Sequence, residues 1–326
     1  MKKYLLCLLL FFGGLSAGQA GNEKLVFAPH WLPQAQFAGY YVARDQGFYA
    51  EAGLDVEIIH PSAAVNAIHF LEDGRADVIS LFLVSALEAL RNGLDLVNIA
   101  QISQHSAIMF VSMKDSGIET LEDFEGKKVG VWMSGFREVP ESLMQSRGIE
   151  VEWVPILSTV NLFLLGGLDV MTVMWYNEYN QLYLTGIDRD EMNTFFLADY
   201  GFNIPEDGLY VLEHTLEERP EDLRAFVEAT LRGWEYASAN REYAVQLVVD
   251  LMRKNHVSSN RAHQRWMLNR VLETHCVQEK GIRVSQLYPD DFHHTVSIIE
   301  STRNVAFPVQ YQDFFKPVLP GIRKPQ

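Results

Sequence analysis

The sequence predicts an α/β protein of two lobes, each built on a parallel or mixed sheet, with two hinge strands joining them. Three observations lead there. Apolar strand patterns alternate with amphipathic helix patterns from Leu25 to Gln101, and again from Leu121 to Met174. Such alternation implies parallel strands with right-handed crossovers. Two apolar strands, Ala107 to Met113 and Leu209 to Glu213, stand outside this rhythm and bracket the second series. From Pro220 onward the pattern is mostly helical. The chain of 326 residues is long enough for two cores. The expected division gives residues 22–110 plus 210–326 to one lobe and 111–209 to the other. The bracketing strands would be hinges, with a ligand in the cleft.

Element by element, Leu25 to Ala28 reads as a strand ending in a His30-Trp31 turn. A helix rich in aromatic and small residues follows and stops at Gly47. Leu54 to Ile59 is a strand, Ala63 to Glu72 a helix, Asp77 to Phe82 a strand, Ser85 to Arg91 a helix and Leu96 to Gln101 a strand. In the second series a short helix at Leu121 to Phe124 precedes the strand Lys128 to Trp132, and a helix follows Gly135. The strand Val151 to Val154, a helix at Val160 to Leu165 and the strand Asp169 to Met174 complete it. Long amphipathic patterns at Pro220 to Ala239, Arg241 to Met252, Asn260 to His275 and Pro289 to Thr302 are expected on the outside of the first lobe.

The first residues read as an export leader. Lys2 and Lys3 give the charged start, Tyr4 to Phe12 the apolar run, and Gly18-Gln19-Ala20 a small-residue cleavage site. The apolar run is too short to span a bilayer. Cys7 lies inside it and not at the cleavage point, which disfavours a lipid anchor. The expected product is a soluble, exported, periplasmic monomer. The full chain carries a net charge of −15, and losing the leader lysines makes it more negative. That balance argues against nucleic acid and anionic membranes as partners. Only Cys276 would remain in the mature chain, so no internal disulfide can form.

In a parallel α/β sheet, ligands gather where strand C-termini meet helix N-termini, because free amides point there. An aromatic residue at such a turn suits a flat ligand. Trp31 is the first candidate, stacking on a heteroaromatic ring; the alternative is a Trp covering the core. Gly130 to Phe136 ends a strand and opens a helix, and the amides of Ser134 and Gly135 could bind an acceptor or phosphate oxygen. No Gly-Lys-Ser/Thr follows, so this is not a P-loop. No Gly-x-Ser-x-Gly elbow supports a hydrolase. The histidines His256, His263, His275, His293 and His294 lack metal-ligand spacing and read as surface residues. No metal and no cofactor is expected.

Several phrases resemble a known family. The Trp31 turn, GFYAEAGLDVEI (Gly47 to Ile58), DGRADV (Asp73 to Val78), TLEDFEGKKVGV (Thr120 to Val131) and WYNEY (Trp175 to Tyr179) carry the likeness. The chain resembles periplasmic solute-binding proteins of ABC importers, in the group related to the yeast-type thiamine-pyrimidine synthase. This resemblance implies a two-lobed type II periplasmic-binding fold, a thiamine pyrimidine precursor of the hydroxymethyl- or formylamino-pyrimidine class as ligand, and an ABC permease as partner. The synthase branch carries a lysine and a histidine where this chain has Leu81 to Ser85. It also carries a cysteine-rich run where this chain has YGFNIPEDGLYV (Tyr200 to Val211). The resemblance therefore implies a binding protein and not an enzyme.

On that reading the remaining candidates face the cleft. Phe37 and Tyr41 share a helix face and are read as core, whereas Tyr40 could turn its hydroxyl to ligand. Trp175, Asn177 and Glu178 follow a strand end, and Glu178 could accept from the exocyclic amine and protonated ring of an aminopyrimidine. The competing role for Glu178 is to cap the next helix. Ser85 could cap its own helix or donate to ligand. For Asp207, a turn role beside Gly208 competes with ligand contact.

Overall fold

The computed structural model describes residues 23–62, 65–132, 137–157, 159–275 and 285–320. The residues expected to form a leader, Ser134, Gly135 and Cys276 lie outside the described residues. The strands are β1 Glu23–Ala28, β2 Leu54–Ile58, β3 Val78–Phe82, β4 Leu96–Gln101, β5 Ile108–Met113, β6 Lys128–Trp132, β7 Glu152–Ile156, β8 Val170–Met174, β9 Met192–Phe196 and β10 Asp207–Leu212. They form two five-stranded sheets, ordered β2-β1-β3-β10-β4 and β7-β6-β8-β5-β9.

The two orders are the same arrangement twice. In each sheet three parallel strands stand second-first-third, and the strand that follows a crossing (β10 or β5) is inserted antiparallel before the last. The inner strands β3, β5 and β8 and the edge strand β4 are buried almost throughout, as expected of strands covered on both faces. The strands expected as hinges, β5 and β10, are thus full members of the second and first sheets. The chain crosses between sheets through residues 102–107 and 197–206.

Most expected elements are present, and the differences have local causes. The strand expected at Val151 to Val154 runs Glu152–Ile156 and includes Pro155. It pairs only with β6, and a proline without a ladder donor is tolerated at such an edge. Strand β9 was not anticipated, since Asn193 and Thr194 interrupt its apolar pattern; pairing with β5 supplies the order. The helix expected over Ala63 to Glu72 spans only Ile68–Glu72.

Eight longer helices cover the sheets: α1 Ala38–Asp45, α2 Leu83–Arg91, α3 Glu138–Arg147, α4 Glu178–Leu184, α5 Pro220–Ala239, α6 Arg241–Lys254, α7 Arg261–Thr274 and α8 Pro289–Arg303. The closest crossing is α1 on α5. A Cβ on Gly233 would stand 2.2 Å from the Gly39 carbonyl oxygen, and one on Gly39 would strike the Trp234 ring. Two glycines let the backbones touch.

The last helices do not stay with the first sheet, as expected from sequence. Helix α8 packs on both α2 and α3, and Arg303 reaches Glu88 of α2 (3.5 Å) and Glu138 of α3 (2.5 Å). Helix α7 touches both the 35–37 turn and α4. Amphipathic spacing shows that a face is buried, but not against which layer.

Candidate functional site

The His30-Trp31 turn leaves the end of β1 and is held from behind. His60 Nδ1 lies 2.7 Å from the Trp31 carbonyl oxygen, and the Tyr41 hydroxyl 3.0 Å from His60 Nε2. A carbonyl can only accept, so Nδ1 carries the proton and Nε2 accepts from Tyr41. Trp31 itself is half-buried against the core. His30 bonds Ser80 Oγ through both its amide (3.1 Å) and Nδ1 (2.8 Å), and packs edge-on against Phe37 and Phe82. Burial, with His60 adding, holds its imidazole neutral, down at about 3.

Asp207 faces His30. It is the first residue of β10 and 6% exposed, so it is neither in a turn nor on the surface. Gly208 is a packing requirement: a Cβ there would stand 2.7 Å from the Tyr210 hydroxyl and 2.8 Å from Gln101 Oε1. Asp207 accepts from Gln36 Nε2 at 3.0 and 3.3 Å, with His30 Nε2 at 3.9 Å. Burial pushes its carboxyl up to about 7.

Glu206 is buried beside it, at 2% exposure, and ties the two crossings together. Its Oε1 accepts from the Ala107 amide (2.5 Å) and Ser106 Oγ (3.0 Å), and its own amide donates to Ser103 Oγ (3.0 Å). Burial, augmented by Asp207, pushes it up to about 8.

The WYNEY segment leaves β8 at the second sheet. Glu178 opens α4, but its side chain folds back on the strand. Oε2 accepts from the Met174 amide (3.0 Å) and Oε1 from Asn177 Nδ2 (2.9 Å). Burial pushes this carboxyl up to about 7. Tyr176 links the groups. It is 3% exposed, and after burial itself Asp207, Glu206 and Glu178 are what push its phenol up. Three buried carboxylates, on the helix α4, the second crossing and β10, thus act on one phenol.

Helix α7 clamps the same segment from outside. His263 Nε2 donates to Asn177 Oδ1 (3.1 Å), and its Nδ1 accepts from Asn180 Nδ2 (2.9 Å). Trp266 Nε1 donates to the Trp175 carbonyl (3.0 Å), and the Arg270 guanidinium lies 4.7 Å from the Trp175 ring centre. On its inner side Gln264 accepts from the Ala35 amide at 2.7 Å. One helix therefore holds the start of the first sheet's aromatic helix and the second sheet's WYNEY turn.

The candidates named from sequence fall into distinct places. Asp207 and Glu178 join the buried carboxylates. Asn177 and Trp175 are engaged by α7. Tyr40 is core, between Phe27 and Trp234, where burial first and then Asp207 push its phenol well up. Ser85 is not the cap of its helix, because α2 begins at Leu83 with Phe82 in the cap position; it is half-buried in the first turn. His263 and His275 are buried and not on the surface, which lowers them to about 4 and about 3. Glu206, Tyr176, Gln36, Trp266 and Arg270 were missed. Two signals were available: adjacent acids before an apolar strand, and His263, Trp266 and Arg270 spaced along one helical face. A cavity of about 320 Å³, lined by Pro33, Tyr41, Arg44, His60 and Lys254 among others, includes none of the carboxylates.

Two five-stranded sheets of repeated order joined by two crossings, with buried polar groups where they meet, define a periplasmic-binding-protein fold. The aliphatic sulphonate binding protein of Escherichia coli has that fold, with a TM-score of 0.71 at 14% identity, covering 92% of this chain and 95% of that one. The chain belongs to the NMT1/THI5-like family, whose match covers residues 34–244. It is similar to a putative thiamine biosynthesis protein of Haemophilus influenzae, 27% identical over 235 residues, 70% of this chain and 73% of the relative. It is also similar to a formylaminopyrimidine-binding protein of Halalkalibacterium halodurans, 26% identical over 260 residues, 75% and 77% of the two chains. Proteins named as 4-amino-5-hydroxymethyl-2-methylpyrimidine phosphate synthases, from Saccharomyces cerevisiae, match as well.

Proposed function

We propose that this chain is a periplasmic solute-binding protein that captures a thiamine pyrimidine precursor, of the hydroxymethyl- or formylamino-pyrimidine class, and delivers it to an ABC permease. The observation that carries this reading is the convergence of Asp207, Glu206 and Glu178 on Tyr176. These buried acceptors, offered by α4, the second crossing and β10, would suit the exocyclic amine and ring nitrogen of an aminopyrimidine. The half-buried Trp31 beside it would supply a stacking surface. The formylaminopyrimidine-binding relative supports the ligand class. A cleft lined by carboxylates works against sulfonate or nitrate.

On this reading the lobes divide at residues 22–110 plus 210–326 and 111–209, and the crossings flex as the cleft closes. The contact of α7 with the WYNEY turn would hold the closed form and give the permease a distinct form to recognise. The monomer is exported by its leader and acts as a carrier and not as an enzyme: Leu81 to Ser85 and Tyr200 to Val211 hold no lysine, histidine or cysteine for the synthase chemistry. Titration calorimetry tests the ligand on mature protein, unfolded and refolded to strip bound material. Binding of an aminopyrimidine, lost in Trp31→Ala and Glu178→Gln, is the expected result. Binding of taurine or nitrate alone would remove the substrate assignment.

A further inference from the structure

We propose that the chain carries a second small-molecule site, apart from the three buried acids, that takes an organic monoanion with a short aliphatic body. The site is the cavity of about 320 Å³ between the ends of α1, β2 and α6, near the lower end of the range of small-molecule pockets. Ile58, Ile59 and Leu251 give it an apolar lining. Arg44, in the last turn of α1, and Lys254, the last residue of α6, give it two cations. None of its described lining residues is acidic, in a chain whose net charge is −15.

Both cations lack a counter-charge. Among the described residues neither side chain has an ion pair, a hydrogen bond or an aromatic ring as partner. The acids nearest to them in sequence are engaged elsewhere: Asp45 accepts from the Tyr243 hydroxyl, and Asp250 pairs with Arg253 at 3.3 Å. A cation at a helix C-terminus ordinarily offsets the free carbonyls there, which accounts for each residue singly. It does not account for two of them, from different helices, meeting over one apolar cavity. The inner wall decides which way round a ligand lies. Tyr41 and His60 line it, and their polar atoms are paired: His60 Nδ1 with the Trp31 carbonyl at 2.7 Å, and Nε2 with the Tyr41 hydroxyl at 3.0 Å. Burial keeps this imidazole neutral, at about 4. No free donor is left on that wall, so a carboxylate head belongs at Arg44 and Lys254, where the guanidinium can grip it with two hydrogen bonds. The aliphatic body then lies on Ile58, Ile59 and Leu251.

The test is NMR titration of ¹⁵N-labelled mature protein at neutral pH with hexanoate, 1-hexanol and hexylammonium. The reporters are the His60 imidazole and the Asn255 side-chain amide, which both line the cavity, assigned by their loss in His60→Gln and Asn255→Ser. Hexanoate should move these signals saturably and bind about ten-fold or more tightly than 1-hexanol, the scale of one charge-assisted hydrogen bond. The double variant Arg44→Gln/Lys254→Gln, changed only at exposed positions, should lose that advantage and keep its affinity for 1-hexanol. Reporters that stay still under hexanoate would overturn the proposal. So would 1-hexanol or hexylammonium binding as tightly as hexanoate, or hexanoate binding unchanged in the double variant. No arm of the test uses a pyrimidine, so its outcome is independent of the ligand assigned to the cleft.

Discussion

Glu206→Gln should change how the stability of this protein depends on pH. Burial raises the Glu206 carboxyl from its ordinary 4.5 to about 8. Between these values the folded state holds a proton that the unfolded chain has released. An acid raised in this way contributes stability in full below the unfolded value, and that contribution is lost as pH climbs toward the folded one. The slope for one such proton is about 1.4 kcal/mol per pH unit. From pH 5 to pH 7 the wild type should therefore lose roughly 2–3 kcal/mol through this residue. Glutamine keeps the oxygen that accepts from Ala107 and Ser106 but carries no proton to lose. The variant should be flatter by that amount, although Asp207 and Glu178, both raised to about 7, leave it a residual slope. Urea unfolding at intervals across this range measures the difference. Parallel profiles would refute the reasoning. A wild type that gains stability relative to the variant as pH rises would show that its two donors outweigh burial.

Three other perturbations test other parts of the structure. Gly233→Ala places a Cβ 2.2 Å from the Gly39 carbonyl and should destabilise by about 1–3 kcal/mol, read as a lowered melting temperature with unchanged ligand class. His263→Ala removes the acceptor of Asn180 Nδ2 and one of the two donors to Asn177 Oδ1, Gln181 remaining; it should cost about 1–3 kcal/mol and speed ligand release, whereas unchanged dissociation would show that the α7 clamp does not report on closure. His30 should give the NMR shifts of a neutral imidazole down to pH 5, because burial lowers it to about 3; protonation near pH 6 would mean that it is solvated. Its sign is opposite to that of Glu206: stability is lost as pH falls from 6.5 through the folded value.

The alternation of short apolar runs with helical patterns determined the class of fold. Strands such as Leu96–Gln101 and Lys128–Trp132, and the helix Pro220–Ala239, were legible to the residue, because local periodicity and stop signals set them. Which turns carry aromatic and acidic residues was equally readable. Only the tertiary structure inserted β5 and β10 antiparallel between strands of the second and first sheets, since strand pairing is decided by long-range contacts that no window of sequence contains. It alone put Glu206 and Tyr176 with Asp207 and Glu178, drawing together residues far apart in the chain. It alone turned His263, Trp266 and Arg270 onto the WYNEY segment. A periodic face announces that it will be buried. What buries it, and what charge is left uncompensated there, depends on how the two sheets meet.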